Sequence, residues 1–172
     1  MALIYLGNQG VIYYSTSGGE LAPGSGELYP TQAEYEAWLV ANLDNKGENV
    51  MDVELNLESE LAETTTRLEA RAGFTTEVAV VRSGKVNFDI RWEGNDPFQS
   101  ALLDAWTTRQ GISMALMNQE VDNGSGALIA GCTGLVAHFS VSMSKSEALK
   151  DIQKASFNLS AMLYPYWLVT GA

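Results

Sequence analysis

The sequence predicts a mainly β fold: an antiparallel β-sandwich or barrel flanked by one α-helix, with a second short helix in an N-terminal insertion. Three observations carry this expectation. Several segments alternate apolar and polar residues with a period of two, as half-buried strands do. Only two segments carry helix start signals. The strand segments do not alternate regularly with helices, which argues against a parallel, doubly wound sheet. The chain has 172 residues, 46% hydrophobic and 18% charged, the composition of one globular domain spanning 1–172. A domain of this size can remove about 70% of its unfolded surface from water, so no staples are needed.

The elements follow in order. Residues 3–14 (LIYLGNQGVIYY) read as two short apolar strands, interrupted between Gly7 and Gly10. Residues 15–29 are rich in Gly, Ser and Pro and read as a surface loop. Thr31 and Glu34 then form a capping box, and Tyr35, Trp38, Leu39 and Leu43 recur at helical spacing, predicting a helix over 32–43. The loop and this helix, about 15–48, read as an insertion. Met51, Val53, Leu55 and Leu57 alternate with Asp52, Glu54, Asn56 and Glu58, predicting a strand with an acidic outer face. Residues 59–76 show no clean alternation and read as a long loop, with a helix over 60–71 as the competing reading.

A strand starts at 78–81 and breaks at Ser83 and Gly84. Val86, Phe88, Ile90 and Trp92 then alternate with Asn87, Asp89, Arg91 and Glu93. Asp96 as N-cap and Pro97 at the first helical position predict a helix over 97–109, with Gly111 as its stop. Strands are expected at 112–117, 135–143 and 155–163. Residues 118–125 form a turn, 144–150 a polar connection and 164–172 an aromatic tail. The sum is six to eight strands and two helices in a meander-like order.

Most catalytic chemistries find little support. Gly124, Ser125, Gly126 and Gly131 lack the Lys-Ser/Thr and capped helix of a phosphate loop. No Gly-x-Ser-x-Gly elbow is present. One cysteine, Cys132, excludes a disulfide framework and a cysteine-rich zinc site, and reads as a small buried residue. One histidine, His138, excludes a multi-His metal site; its neighbours Val136 and Ser140 suggest a surface or inter-subunit position. Asp89 and Glu93 share a strand face with Arg91 between them, so a carboxylate pair for hydrolysis is weighed against a solvated face. The Asn158-Leu-Ser160 glycosylation match falls inside a strand and is set aside. No enzyme activity, cofactor or metal is expected. No apolar run reaches the ~18 residues of a membrane span, and the N-terminus lacks the basic region of a secretory leader, so an intracellular, reducing origin is expected.

Charge is the more informative signal. Residues 1–60 hold ten acidic residues and one basic residue, for −9, while 61–172 hold eleven and nine, for −2. Such a chain is not built to grip phosphates, which takes Lys and Arg. The aromatic residues Tyr5, Tyr13, Tyr14, Tyr29, Tyr35, Trp38, Tyr164, Tyr166 and Trp167 gather towards the two ends. Core packing and docking to a neighbour account for them about equally well.

Segments 52–67 (DVELNLESELAETTTR), 86–106 (VNFDIRWEGNDPFQSALLDAW) and 134–160 (GLVAHFSVSMSKSEALKDIQKASFNLS) resemble, in their order, the major tail proteins of bacteriophages with long non-contractile tails. That order is a strand ending near Thr-Thr-Arg, an alternating strand with Trp, and a short helix opened by Asp-Pro. After a small strand come a Gly-aliphatic strand with a polar turn (here Lys145-Ser146-Glu147-Ala148-Leu149) and a last alternating strand. The resemblance implies a structural virion protein assembled in the host bacterial cytoplasm. It implies copies of the chain in stacked, hexameric rings, forming a hollow tube through which phage DNA passes without specific binding. Tape-measure, terminator and baseplate proteins would be further partners. On this reading Asp52, Glu54 and Glu58, then Asp89 and Glu93, are candidates for the channel wall, where like charge keeps DNA from sticking. Arg67, Arg71 and Phe74 are candidates for ring stacking, and Tyr164, Tyr166 and Trp167 for a terminal docking arm. The competing readings are a small-ligand-binding β-barrel, or another baseplate or connector component of the same particle.

Overall fold

A computed structural model describes residues 2–5, 10–16, 19–63, 77–91, 95–147 and 153–171. Seven antiparallel strands form one sheet: β1 (Ala2–Tyr5), β2 (Val11–Tyr14), β3 (Val50–Glu63), β4 (Glu77–Arg91), β5 (Ile112–Met117), β6 (Thr133–Glu147) and β7 (Gln153–Val169). Their order across the sheet is β1-β3-β4-β7-β6-β5-β2. The expected β class with two helices is what the chain adopts, as a curled half-barrel. The simple meander is not: the last strand inserts between β4 and β6, so the two halves of the chain join through β7.

Helix α1 (Gln32–Ala41) starts as the sequence dictates. The Thr31 hydroxyl accepts from the Glu34 amide, and the Glu34 carboxylate accepts from the Thr31 amide at 2.6 Å. The Thr31 amide and the Thr31 hydroxyl both donate to that carboxylate and hold it below the usual carboxylate range. Helix α2 (Pro97–Thr108) has the Asp96 carboxylate on the Phe98 amide at 2.9 Å. It ends with Arg109 in the left-handed region, φ 59°. Gly111 sits just beyond, at φ 80°, where a Cβ would stand 2.4 Å from the Phe139 carbonyl oxygen. Glycine here permits both the backbone angle and the close approach.

The two faces of the sheet are filled differently. On the inner face, Leu55, Val86, Phe88, Ile90, Phe139 and Phe157 pack with Phe98 and Leu102 of α2. Phe88 stands 6.0 Å from Phe98 and 5.9 Å from Phe157, ring to ring. On the outer face, a second cluster joins Tyr35, Trp38, Leu39 and Leu43 to Tyr13, Ala115, Met117, Val136 and Leu168. The 15–48 segment thus covers the outer side of β2, β5 and the adjoining ends of β6 and β7. Cys132 is buried in the same cluster, as expected.

Four expectations need correction. Residues 59–63 are not loop but the end of β3, paired with β4; residues 64–76 lie outside the described residues. β4 runs unbroken through Ser83 and Gly84, which pair with Glu58 and Leu57 of β3. Residues 144–147 continue β6, not a connection. Residues 164–169 are not a tail but the second half of β7. Two register shifts opposite 136–139 place bulges in that half, one of them at Pro165, which has no N–H to give a ladder. Tyr164 takes φ 54° there. A bulge also opens β3: Asp52, at φ 51°, and Val53 face the single residue Phe88. The shift puts Met51 opposite Asp89, out of the inward row in which the alternation had placed it.

Candidate functional site

The bare half of the outer sheet face is the first candidate. Register aligns Glu54 with Asn87, Asn158 and Ser142, and Asn56 with Lys85, Ser160 and Ser140. Asp89 aligns with Ser156 and Ser144, and Arg91 with Lys154. Glu58 lies further along β3, opposite Ser83. Strand alternation puts all of these side chains on one side, away from Leu55, Val86, Phe88 and Phe157. The result is a four-strand platform of hydroxyls, amides and sparse charges. Ser156 donates to Asp89 Oδ1 at 2.6 Å, and Lys85 Nζ stands 4.0 Å from Glu58 Oε2. Of the five acids singled out in the sequence, the sheet brings Glu54, Glu58 and Asp89 onto this platform, with Asp52 at the β3 bulge. Glu93 lies outside the described residues.

The second candidate is an exposed apolar strip along the bulged half of β7. Met162, Leu163, Tyr166 and Trp167 are all between 38% and 49% exposed, far above a core residue. Tyr166 is tied down on one side: its ring stacks on Tyr35 at 4.6 Å, and its hydroxyl donates to Gln32 Oε1. Tyr29, 68% exposed, meets Tyr164 edge-on at 6.3 Å. Of the predicted docking residues, Tyr164 and Tyr166 sit on the α1 side, while Trp167, opposite Leu135, falls on the other face; all three are in a strand and not on an arm. Sequence reasoning missed Met162 and Leu163, because the bulges break the period of two that would have marked them as outward. The stacking candidates Arg67, Arg71 and Phe74 lie outside the described residues. They fall between Glu63 and Glu77, the ends of a two-stranded arm: beyond Lys85, β4 has no β7 partner, and beyond Leu57, β3 has no β1 partner.

Two features with a catalytic look are structural. Ser113 and His138 are hydrogen-bonded at 3.0 Å between Oγ and Nδ1. The other ring nitrogen faces the Gln110 carbonyl at 2.8 Å, so the network assigns the proton to Nε2, and Ser113 donates to Nδ1. Ser113 also accepts the Leu21 amide and is fully buried. His138 is buried too, against the surface position expected for it. The pair ties the 15–21 loop to β5, β6 and the end of α2. The second feature is a groove of about 600 Å³ between that loop and α2. It is lined by Ser15, Glu20, Ser100, Asp104 and Thr108 among others, an open, half-polar surface and not the enclosed apolar cavity a barrel binder needs. Among the described residues, no helix is long and apolar enough to cross a membrane.

Solved structures with a similar fold come from tails and related particles. The chain is similar to the SPP1 tail tube, with 12% identity over 96% of this chain and 80% of that one, at a TM-score of 0.58. It is similar to a chain in the virion of a native gene transfer agent particle, with 10% identity over 72% and 85% and a TM-score of 0.51. A third likeness is to the baseplate of an anti-feeding prophage, with 9% identity, full coverage of both chains and a TM-score of 0.52. No protein-family model matches the sequence, and no curated protein does.

Proposed function

We propose that this chain is a tail-tube subunit: identical copies associate side by side into rings, and the rings stack into a hollow tube that conveys DNA. The observation that carries the reading is the bare polar platform on a fold shared, over nearly the whole chain, with the SPP1 tail tube. A four-strand face made almost wholly of polar side chains, with Met51 at its margin, has little to pack against and suits a wall past which a hydrated polymer slides. The gene transfer agent tail, also similar in fold, has C6 symmetry, and we adopt six copies per ring. Asp52, Glu54, Glu58, Asp89 and Glu93 are assigned to the channel side. Tyr164, Tyr166 and Trp167, with Met162 and Leu163, are assigned to contacts between neighbours, since exposed aromatic and Met residues favour interfaces. The β3–β4 arm, with Arg67, Arg71 and Phe74 beyond its described part, is assigned to ring stacking. Virion tail is the corresponding location and other tail proteins the further partners.

Negative-stain microscopy of the purified chain at rising concentration tests this, with rings or tubes expected. Protein that stays monomeric at every concentration, even with tail-tip components added to nucleate assembly, overturns it. The double substitution Met162→Ser with Trp167→Ser should raise the concentration needed for assembly at least tenfold. It should leave the monomer folded, with the unfolding midpoint lowered by no more than roughly 10 °C, because about half of each side chain is already in water.

A further inference from the structure

The platform is charge-balanced, and we propose that it lets a polyanion pass by being neutral, not by repelling it. This rests on the reading of that face as the channel wall. The acid-rich first third of the sequence suggested an acid-lined channel, but the fold sends most of that charge elsewhere. Glu20, Glu27, Glu34, Glu36, Asp44 and Glu48 belong to the 15–48 segment, with Lys46 as its only base, and that segment clothes the other half of the outer face. On the bare half, among the described residues, the carboxylates Glu54, Glu58 and Asp89 meet the cations Lys85, Arg91 and Lys154. Counting Asp52 at the bulge, four carboxylates and three cations sum to −1, and Glu93, outside the described residues, would bring the sum to −2, against −11 for the chain.

The cations come from β4 and β7 and are interleaved with the acids of β3 and β4. Lys85 lies 4.0 Å from Glu58, and Arg91 and Lys154 are directly opposed one register step from Asp89 and Ser156. A phosphate approaching Lys85 meets Glu58, and one approaching Arg91 or Lys154 meets a strand row that also carries Asp89, which weakens the net attraction that DNA binding needs. The remaining positions are serine and asparagine. Their hydrogen bonds to a phosphate replace equivalent bonds to water and gain little. Carboxylates on this platform therefore serve to cancel Lys85, Arg91 and Lys154.

The test compares two full-chain variants built into particles, with DNA release followed by dye fluorescence and tube integrity checked by microscopy. The first, Glu54→Gln, Glu58→Gln and Asp89→Asn, leaves the cations unopposed. Release is expected to slow at least tenfold at low salt and to recover as salt rises. The second adds Lys85→Gln, Arg91→Gln and Lys154→Gln, and release is expected within twofold of the unmodified rate. Should the second variant be as slow as the first, the acids repel DNA and the proposal fails while the channel reading stands. Should both release normally, the face does not line the channel and both readings fall. If the sixfold variant does not assemble, the exchange Glu58→Lys with Lys85→Glu preserves the balance and must release normally; slowed release from intact tubes overturns the proposal.

Discussion

Truncating Leu39 to alanine asks whether the 15–48 segment is part of the cooperative fold or an appendage resting on it. Leu39 is fully buried in the cluster that joins α1 to β2, β5, β6 and β7. The substitution removes three carbons, about 2.4 kcal/mol at ~0.8 kcal/mol per buried methylene. The cavity left between a helix and a sheet that cannot fully close adds to this, for a total of roughly 3–4 kcal/mol. In a domain of this size, each kcal/mol moves the midpoint by about 2–4 °C, so the melting temperature should fall by roughly 6–16 °C. Val40, the next residue, is 43% exposed, and Val40→Ala should change stability by no more than about 0.5 kcal/mol. Differential scanning calorimetry at concentrations where the chain is monomeric reads both numbers, and a single transition is expected. A loss below about 1 kcal/mol for Leu39→Ala, or an early transition for α1 that leaves the main one unmoved, would falsify the shared-core argument.

Two further outcomes follow from local geometry. Gly111→Ala should destabilise by about 2 kcal/mol or more in urea titration, above the roughly 1 kcal/mol of a left-handed alanine, because its Cβ meets the Phe139 carbonyl; a loss under 1 kcal/mol would mean the β5–β6 contact is looser than described. Burial, then the Tyr166 and Tyr164 phenols, push the Tyr35 hydroxyl up to about 12. The folded value exceeds the unfolded one, so this contribution is complete below pH 10 and is lost as pH rises from 10 towards 12. On the order of 1–2 kcal/mol should disappear over that window in urea midpoints, and Tyr35→Phe should flatten this part of the profile; an unchanged slope in that variant would assign the loss to other groups.

What could be read from the sequence follows from which interactions are local. Both helices were legible because their signals sit within one turn: Thr31 with Glu34, and Asp96 with Pro97. β5 was legible to the residue, since all six of its side chains are buried and the run is uniformly apolar. The arm was not, because residues 59–63 show no alternation in sequence to mark them as a strand. The second half of β7 was missed because bulges and Pro165 interrupt the period of two. His138 misled for a different reason: Val136 and Ser140 beside it resemble a surface row, but the 15–21 loop, more than 110 residues earlier in the chain, folds over Ser113 and buries it. Alternation put Glu54, Glu58 and Asp89 on the face away from the apolar row, and the register of the sheet gathers them on one face. Their neutralisation was not legible, since counting charge along the chain separates Glu58 from Lys85 and Asp89 from Lys154, which the sheet makes neighbours.

The 15–48 segment also decides how copies of the chain can meet. After α1 the chain returns along the outer edge of β2: the Tyr14 amide donates to the Asn45 carbonyl at 3.1 Å and the Gly47 amide to the Ile12 carbonyl at 2.8 Å. That edge of the sheet is thereby closed to another strand. At the other end, β1 has β3 on one side and, among the described residues, no strand on the other. Beyond Ser160, among the described residues, β7 has no strand on the side facing β4, and α1 reaches the Tyr164 and Val169 carbonyls through Tyr35 and Gln32. An unpaired edge recruits a strand unless it is blocked. With one margin capped and others open, a contact built on sheet edges joins unlike surfaces of two copies. Contacts of that kind, repeated by rotation, close into rings, whereas like-to-like contacts stop at a pair. Under the proposed function, the segment that looks most like an addition to the fold is the part that gives association its direction.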